Sequence, residues 1–200
     1  VARALRRHDG PMKIVLSSSS PRRLALLVGC GYTVETCSPE IDETISPDES
    51  PHEATLRLAR GKARAAPADS RTPVVAGDTL VILAGRPLGK PRDETDAVST
   101  LEALSGRWHE VASGWCVRCG EMEDSGITVT RVRFRDLEAG EAVDYVKTGE
   151  PLGKAGAYGI QGLGGELVAT VDGSFSNVIG IPLLPVLRCL DDLRCRLSRA

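Results

Sequence analysis

Aromatic residues are scarce in this 200-residue chain, at 4%, with two tryptophans, three tyrosines and two phenylalanines, and histidine occurs only three times. Proteins that grip single-stranded nucleic acid stack bases on aromatic side chains set in a basic groove. A formal net charge of -2 at pH 7 also denies the chain any bulk attraction to a phosphate backbone or an anionic membrane, so neither nucleic acid nor membrane is an expected partner. No apolar run approaches the roughly 18 residues that read as a bilayer span, and the opening VARALRRHDGP lacks the apolar core of a secretory signal. A cytoplasmic setting is therefore expected. None of the histidines stands at helical metal-pair spacing from another, and His109 falls in a segment of strand-like composition, which argues against a zinc site or a histidine relay. Any phosphate site must gather its positive charge locally.

The usual glycine signatures of nucleotide binding are missing too. No phosphate loop ending in Gly-Lys-Ser/Thr is present, and Gly162-Leu163-Gly164-Gly165 lacks both the spacing and the strand-to-helix setting of a dinucleotide fingerprint. Six cysteines are present (30, 37, 116, 119, 189 and 195), in a chain that is 42% hydrophobic and 26% charged. A core of that size needs no disulfide framework, and free thiols are expected. The Cys116-Val117-Arg118-Cys119 pattern resembles a redox dithiol or half of a zinc site. It sits in a strand-like run, where residues three apart point to opposite faces, and it has no matching second pair.

The segment order predicts an α/β domain with a mixed, twisted sheet in two lobes flanked by helices. Residues 1–11 read as a flexible extension, and 12–200 as a single domain with a cleft between the lobes. Lys13 to Leu16 reads as a buried strand, followed by a polar loop and a helix ending near Gly29 or Gly31. Ser50-Pro51-His52-Glu53 announces a helix running to about Ala66, with Ser50 as N-cap, Pro51 at the first position and Glu53 closing a capping box. Val74 to Leu83 is a strong strand. Residues 94–104 have helical apolar spacing, 108–118 and 127–135 read as strands, 138–148 as a short helix, and 182–196 as a closing helix. Asp172-Gly173 suggests a hairpin turn.

Three groups of residues carry candidate chemistry. Ser17 to Arg23 places a helix start, with Ser20 as cap and Pro21 at the first position, beside Arg22 and Arg23. Free N–H groups and a positive dipole end make that an anion cradle, and adjacent arginines, unfavourable at a helix N-terminus, ask for a counter-anion. A capped helix with a solvated basic first turn is the simpler alternative. Asp78 is a lone carboxylate inside Val74-Val75-Ala76-Gly77-Asp78-Thr79-Leu80-Val81-Ile82-Leu83. Burying it unpaired costs several kcal/mol unless it meets a cation or metal, so it is either functional or a strand-edge residue turned to solvent. Lys62 lies off the Arg57, Arg60, Arg64 stripe of its helix, four residues after Leu58, and can reach inward. Lys90, in Leu88-Gly89-Lys90-Pro91, sits on a constrained loop.

Ser18-Ser19-Ser20-Pro21-Arg22-Arg23, Leu58-Ala59-Arg60-Gly61-Lys62-Ala63, Gly77-Asp78-Thr79, Leu88-Gly89-Lys90-Pro91, Leu104-Ser105-Gly106-Arg107 and Lys154-Ala155-Gly156-Ala157-Tyr158-Gly159-Ile160-Gln161-Gly162 together resemble the Maf family of nucleotide pyrophosphatases, over about residues 12–190. The resemblance implies a fold shared with inosine triphosphate pyrophosphatases, a homodimer, and hydrolysis of a nucleoside triphosphate to monophosphate and pyrophosphate with Mg2+ or Mn2+. It implies Asp78 as proton acceptor, Arg22, Thr79 and Gln161 as substrate-specificity positions, and Ser18, Arg23, Lys62 and Lys90 as polar cleft residues. Glu40 and Asp78 are the implied metal ligands. Thr79, Ala155-Gly156-Ala157-Tyr158 and Gln161 look like the dTTP/UTP branch. That branch is expected to extend to modified pyrimidine nucleotides; a 7-methyl-GTP branch, and a nucleotide-binding regulator of cell division with little turnover, are the alternatives. Ser19 stands where the family commonly has glycine.

Overall fold

The computed structural model describes residues 12–46 and 48–197; the expected extension over 1–11 lies outside the described residues. The elements follow as β1 (Lys13–Ser17), α1 (Pro21–Gly29), β2 (Thr33–Cys37), α2 (Pro51–Ala65), β3 (Val74–Leu83), β4 (Arg86–Leu88), α3 (Glu94–Leu104), β5 (Trp108–Cys119), β6 (Met122–Phe134), α4 (Glu141–Lys147), β7 (Val168–Asp172), α5 (Phe175–Ile179) and α6 (Leu183–Leu197). Two 3₁₀ turns, Ala155–Ala157 and Leu163–Leu167, lie between α4 and β7. Seven strands form one mixed sheet in the order β2-β1-β3-β5-β6-β7, with β4 paired to β3. The α/β class expected from the segment order holds.

β1 pairs in parallel with both β2 and β3. Parallel neighbours need crossover connections, supplied by α1 and α2. From β3 onward the sheet is antiparallel. α2 begins as its sequence demands, with Ser50 accepting from the Glu53 N–H and Glu53 reaching back to the Ser50 N–H, and with Pro51 in the first turn. One face of the sheet lies against α2 through small side chains: Ala59 and Ala63 pack on Val15, Val74, Ala76 and Cys116. The approach is close enough that a Cβ at Gly114 would sit 2.1 Å from the Thr55 carbonyl oxygen. On the opposite face Leu16, Val75 and Val117 meet Leu27 of α1 and Val186 and Leu190 of α6. Farther along, Val81, Leu83, Val111 and Phe134 form a separate cluster with Leu101 of α3 and Tyr145 of α4. β3 therefore runs from one apolar cluster into another, and its buried pattern is interrupted only at 78–80.

Three details depart from the sequence reading. β2, Thr-Val-Glu-Thr-Cys, is an added edge strand with no fully buried residue; it lacks an apolar signature because pairing with β1, not burial, holds it. β6 starts at Met122, five residues before the expected 127, since polar Glu123 to Ser125 pair with the buried β5 across the Gly120 turn. Asp172-Gly173 closes no hairpin. The Ser174 N–H bonds the Thr130 hydroxyl at 3.1 Å and Ser174 then caps α5, so the chain turns into a helix over β6. The Cys116 and Cys119 side chains join clusters on opposite faces of the sheet, and among the described residues no two cysteines form a disulfide.

Two consequences for stability follow. Gly114→Ala should lower unfolding free energy by about 1–3 kcal/mol in urea titration, because the added methyl meets α2 backbone instead of a yielding side chain. His109, 2% exposed, is bonded to the Tyr158 hydroxyl at 2.9 Å, and burial pushes its imidazole down to about 4. The unfolded chain takes up that proton near pH 6.5 while the folded chain does not, so stability should decline as pH falls from about 6.5 to 4, by roughly 3 kcal/mol in all. His109→Phe should flatten that part of the stability profile.

Candidate active site

The site begins as a break in strand pairing. Along one edge, β3 is paired with β1 through Val74, Val75 and Ala76, and with β4 through Val81, Ile82 and Leu83. Among the described residues, 77–80 have no strand neighbour on that side, while β5 backs them continuously on the other. β1 has by then left the sheet for the polar turn that starts α1. Ligands of open α/β sheets collect at such places, beyond the carboxyl ends of parallel strands. A cavity of about 380 Å3 occupies the break. Because side chains alternate along a strand, Asp78 and Thr79 face opposite sides of the sheet, and the cavity takes in both.

On the α2 side, Lys62 donates to Asp78 Oδ1 at 2.7 Å and pairs with Glu43 Oε1, also at 2.7 Å. Lys62 and Asp78 are each 14% exposed at the side chain, whereas Glu43 is 60% exposed. The Ser17 hydroxyl donates to the Lys62 carbonyl at 2.7 Å, fixing the α2 backbone to the end of β1. The bond from Lys62 holds the Glu43 carboxyl below its usual range, against a smaller opposing effect of burial. One ammonium thus serves two carboxylates at the mouth of the break.

On the other side Arg23 holds the wall together. It donates from Nε to the Gly180 carbonyl at 2.7 Å, from Nη1 to Ser18 Oγ at 3.0 Å and from Nη2 to Thr79 Oγ1 at 3.0 Å. Thr79 Oγ1 also lies 2.8 Å from Ser113 Oγ and donates to Gly180 O at 3.1 Å. Burial pulls the Arg23 guanidinium below its ordinary value, Asp78 pushes it back up and Arg22 lowers it; an arginine remains charged regardless. Gly77 and Gly180 make room, since a Cβ on either would meet Arg23 within 3.7 Å.

The far wall is the glycine-rich segment after α4. The Gly156 N–H bonds the Gly89 carbonyl at 3.1 Å, tying this segment to the loop that carries Lys90. Gly156, at φ +70°, lies where a Cβ would stand 2.8 Å from Val81. Lys90, Lys154 and Gln161 line the cavity here, and Arg22 lines it from the start of α1. Burial, with Arg22 adding to it, lowers the Lys154 ammonium. Five cations and two carboxylates around one cavity suit a polyanion accompanied by a metal.

All of the motifs quoted from the sequence except Leu104-Ser105-Gly106-Arg107 thus meet at one place, and a family model described as Maf-like protein matches residues 13–193. The chain belongs to the Maf family. A dTTP/UTP pyrophosphatase of Anaeromyxobacter dehalogenans strain 2CP-1 is 49% identical over 86% of this chain and 89% of its own length. Proteins of the same name from Geobacter sulfurreducens and Aquifex aeolicus are 44% and 39% identical, each over 91% of this chain and over 95% and 96% of their own. Solved structures resembling it include a HAM1 protein from Coxiella burnetii, 19% identical over 62% of this chain and 73% of that one, with a TM-score of 0.43. A likeness that distant bears on neither substrate nor mechanism.

Of the residues that the Maf resemblance singles out, Asp78, Thr79, Ser18, Arg22, Arg23, Lys62, Lys90 and Gln161 all line the cavity. Glu40 does not: it is exposed, and Glu43, three residues on, lines the cavity instead. Residues 38–46, which carry both carboxylates, have no regular structure, so nothing in their sequence says which one turns inward. Lys154 was quoted only as part of a motif, and its place in the wall comes from the fold. In Lys62→Met, Glu43 should titrate at a higher pH than in the parent protein, read from its 13C carboxyl shift; an unmoved midpoint would mean that Lys62 is not what holds it down.

Proposed function

We propose that this Maf protein is a metal-dependent nucleoside triphosphate pyrophosphatase, hydrolysing dTTP and UTP to the monophosphate and pyrophosphate. The observation that carries the reading is the half-buried Asp78 carboxylate, paired with Lys62 in the break of β3 and opening into a cavity that Arg22, Arg23, Lys90 and Lys154 also line. The three relatives described above bear that activity in their names, and the match to them spans most of both chains. Asp78 holds the attacking water and takes its proton as the α–β anhydride opens; pyrophosphate leaves. Lys62, Arg22, Lys90 and Lys154 lie where they offset charge gathering on the phosphates. Arg23, occupied by Gly180, Ser18 and Thr79, mainly holds the wall.

Asp78 and Glu43 each place one oxygen 2.7 Å from the Lys62 ammonium, so both carboxylates already converge on one cation. Among the described residues no group of three or more His, Cys, Asp or Glu side chains could hold a metal. Two carboxylates completed by substrate phosphate oxygens match the way Mg2+ is held in phosphate chemistry. Bound there, Mg2+ or Mn2+ would supply Lewis-acid neutralisation of the phosphates. Glu43 takes the ligand place that the sequence reading assigned to Glu40. Gln161, exposed at the rim, can donate to and accept from a pyrimidine edge, and Thr79 and Arg22 are its companions in specificity. The same reading puts the cleft between two lobes of one domain, with a homodimer resting on the family resemblance and a cytoplasmic setting on the charge and hydropathy of the sequence.

With Mg2+ or Mn2+, purified protein should release pyrophosphate, and no orthophosphate, from dTTP and UTP in preference to 7-methyl-GTP. Asp78→Asn should lose at least two orders of magnitude in kcat while still binding dTTP in calorimetry. Near-normal turnover by Asp78→Asn would remove that carboxylate from the reaction.

A further inference from the structure

The segment that presents Gln161 is poorly suited to holding anything still. Residues 150–165 contain six glycines and form only two 3₁₀ turns. Glycine loses the most conformational freedom on ordering, and an amide reads a base edge only when held to within about half an ångström of its productive place. Some group must therefore tie the segment down.

The Gly156 N–H does so at the start of the segment by bonding Gly89; around Gln161 the group is Glu150. Its Oε1 accepts from the Tyr145 hydroxyl at 2.8 Å and from the Gly164 N–H at 3.2 Å, and its Oε2 accepts from the Leu163 N–H at 2.9 Å. Tyr145 Oη in turn accepts from the Gly159 N–H at 3.2 Å. The contacts bracket Gln161, with Gly159 before it and Leu163 and Gly164 after it. Two glycines leave room for the pair: a Cβ at Gly162 would lie 2.4 Å from Glu150 Oε2, and one at Gly164 would lie 2.4 Å from Tyr145 Oη. Burial pushes the Glu150 carboxyl up, but the bonds from Tyr145, Gly164 and Leu163 outweigh it, so the group stays ionised at neutral pH. Tyr145 is 7% exposed and packed among α3 and α4 side chains, which makes it a rigid post. Gln161 itself is left exposed at the cavity.

We infer that Glu150, braced by Tyr145, is a positioning residue that sets base selectivity by fixing the backbone on both sides of Gln161. This rests on the reading of Gln161 as the residue that meets the base. Glu150 lies outside the cavity lining and touches no reacting atom. Its loss should therefore weaken recognition and spare the chemistry, because the loop would have to be ordered by the substrate on each binding event.

The test uses the full chain with Mg2+ and pyrophosphate release from dTTP and dCTP, comparing the parent protein with Glu150→Gln, Tyr145→Phe and Gln161→Ala. An amide at 150 puts an NH2 where at least one backbone N–H now donates, so Glu150→Gln should raise KM for dTTP roughly tenfold and cut the dTTP-over-dCTP preference roughly tenfold, with kcat held within about threefold. Tyr145→Phe, which leaves Glu150 its two backbone donors, should move both values the same way by about threefold, and it serves if Glu150→Gln does not fold. Glu150→Gln combined with Gln161→Ala should discriminate no worse than Gln161→Ala alone. Dissociation constants for α,β-imido analogues of the two nucleotides should give the same ratios without turnover.

Unchanged selectivity in Glu150→Gln, or in Tyr145→Phe where the first variant is unfolded, overturns the inference, as does a loss confined to kcat. If Gln161→Ala keeps the parent selectivity, the base-reading role of Gln161 fails and the inference falls with it. If Gln161→Ala loses selectivity while Glu150→Gln retains it, the inference alone fails.

Discussion

The contact between Lys62 and Asp78 at 2.7 Å organises this molecule's chemistry. Two opposite charges, each 14% exposed at the side chain, have been drawn from water at the middle of a strand, where solvation is lost before any mutual attraction is gained. A fold selected only for stability has cheaper residues for that position, since well-packed apolar side chains often replace such a pair without loss. The pair makes sense in a cavity whose occupant brings its own charge. Glu43 shares the same ammonium, so the arrangement can rearrange around a cation and a polyphosphate without leaving any carboxylate uncompensated.

The break in β3 makes room for that pair. β1 releases the strand after Ala76 and β4 takes it up again at Val81, while β5 holds the other edge throughout. The strand stays supported along β5 although, among the described residues, 77–80 have no strand neighbour on the other side. The walls close by two devices. Arg23 links the start of α1 to the end of α5 through the Gly180 carbonyl, and the Gly156 N–H links the glycine-rich segment to Gly89. Both joints lie far apart in sequence and close in space, as expected of a site assembled from loops on a rigid sheet.

Much of this was legible beforehand, for identifiable reasons. The capping box at Ser50 and the apolar runs of β1 and β3 are local signals, and local signals survive folding when the core agrees with them. Asp78 stood out because an unpaired carboxylate in an apolar strand is costly. Lys62 stood out because helical spacing set it apart from the solvated arginines, which the structure pairs with Glu49 and Glu123. β2 and the start of β6 were missed because pairing to a buried neighbour, not their own composition, makes them strands. The Asp172-Gly173 turn misled because the same dipeptide that suits a hairpin also suits the entry to a capped helix.

By itself the sequence determined where charge and conformational freedom are placed along the chain: a carboxylate within a strand, arginines at a helix start, glycines around Gln161. Those are properties of single residues and short spacings. Only the tertiary structure decided the partners. It brought Glu43 and not Glu40 to Lys62, spent Arg23 on the wall while Arg22 faces the cavity, and set Glu150 and Tyr145 beneath the glycine-rich loop. Hydrogen bonds and ion pairs act over about 3 Å, and which groups come that close depends on how the sheet and helices pack, which no stretch of the chain contains alone.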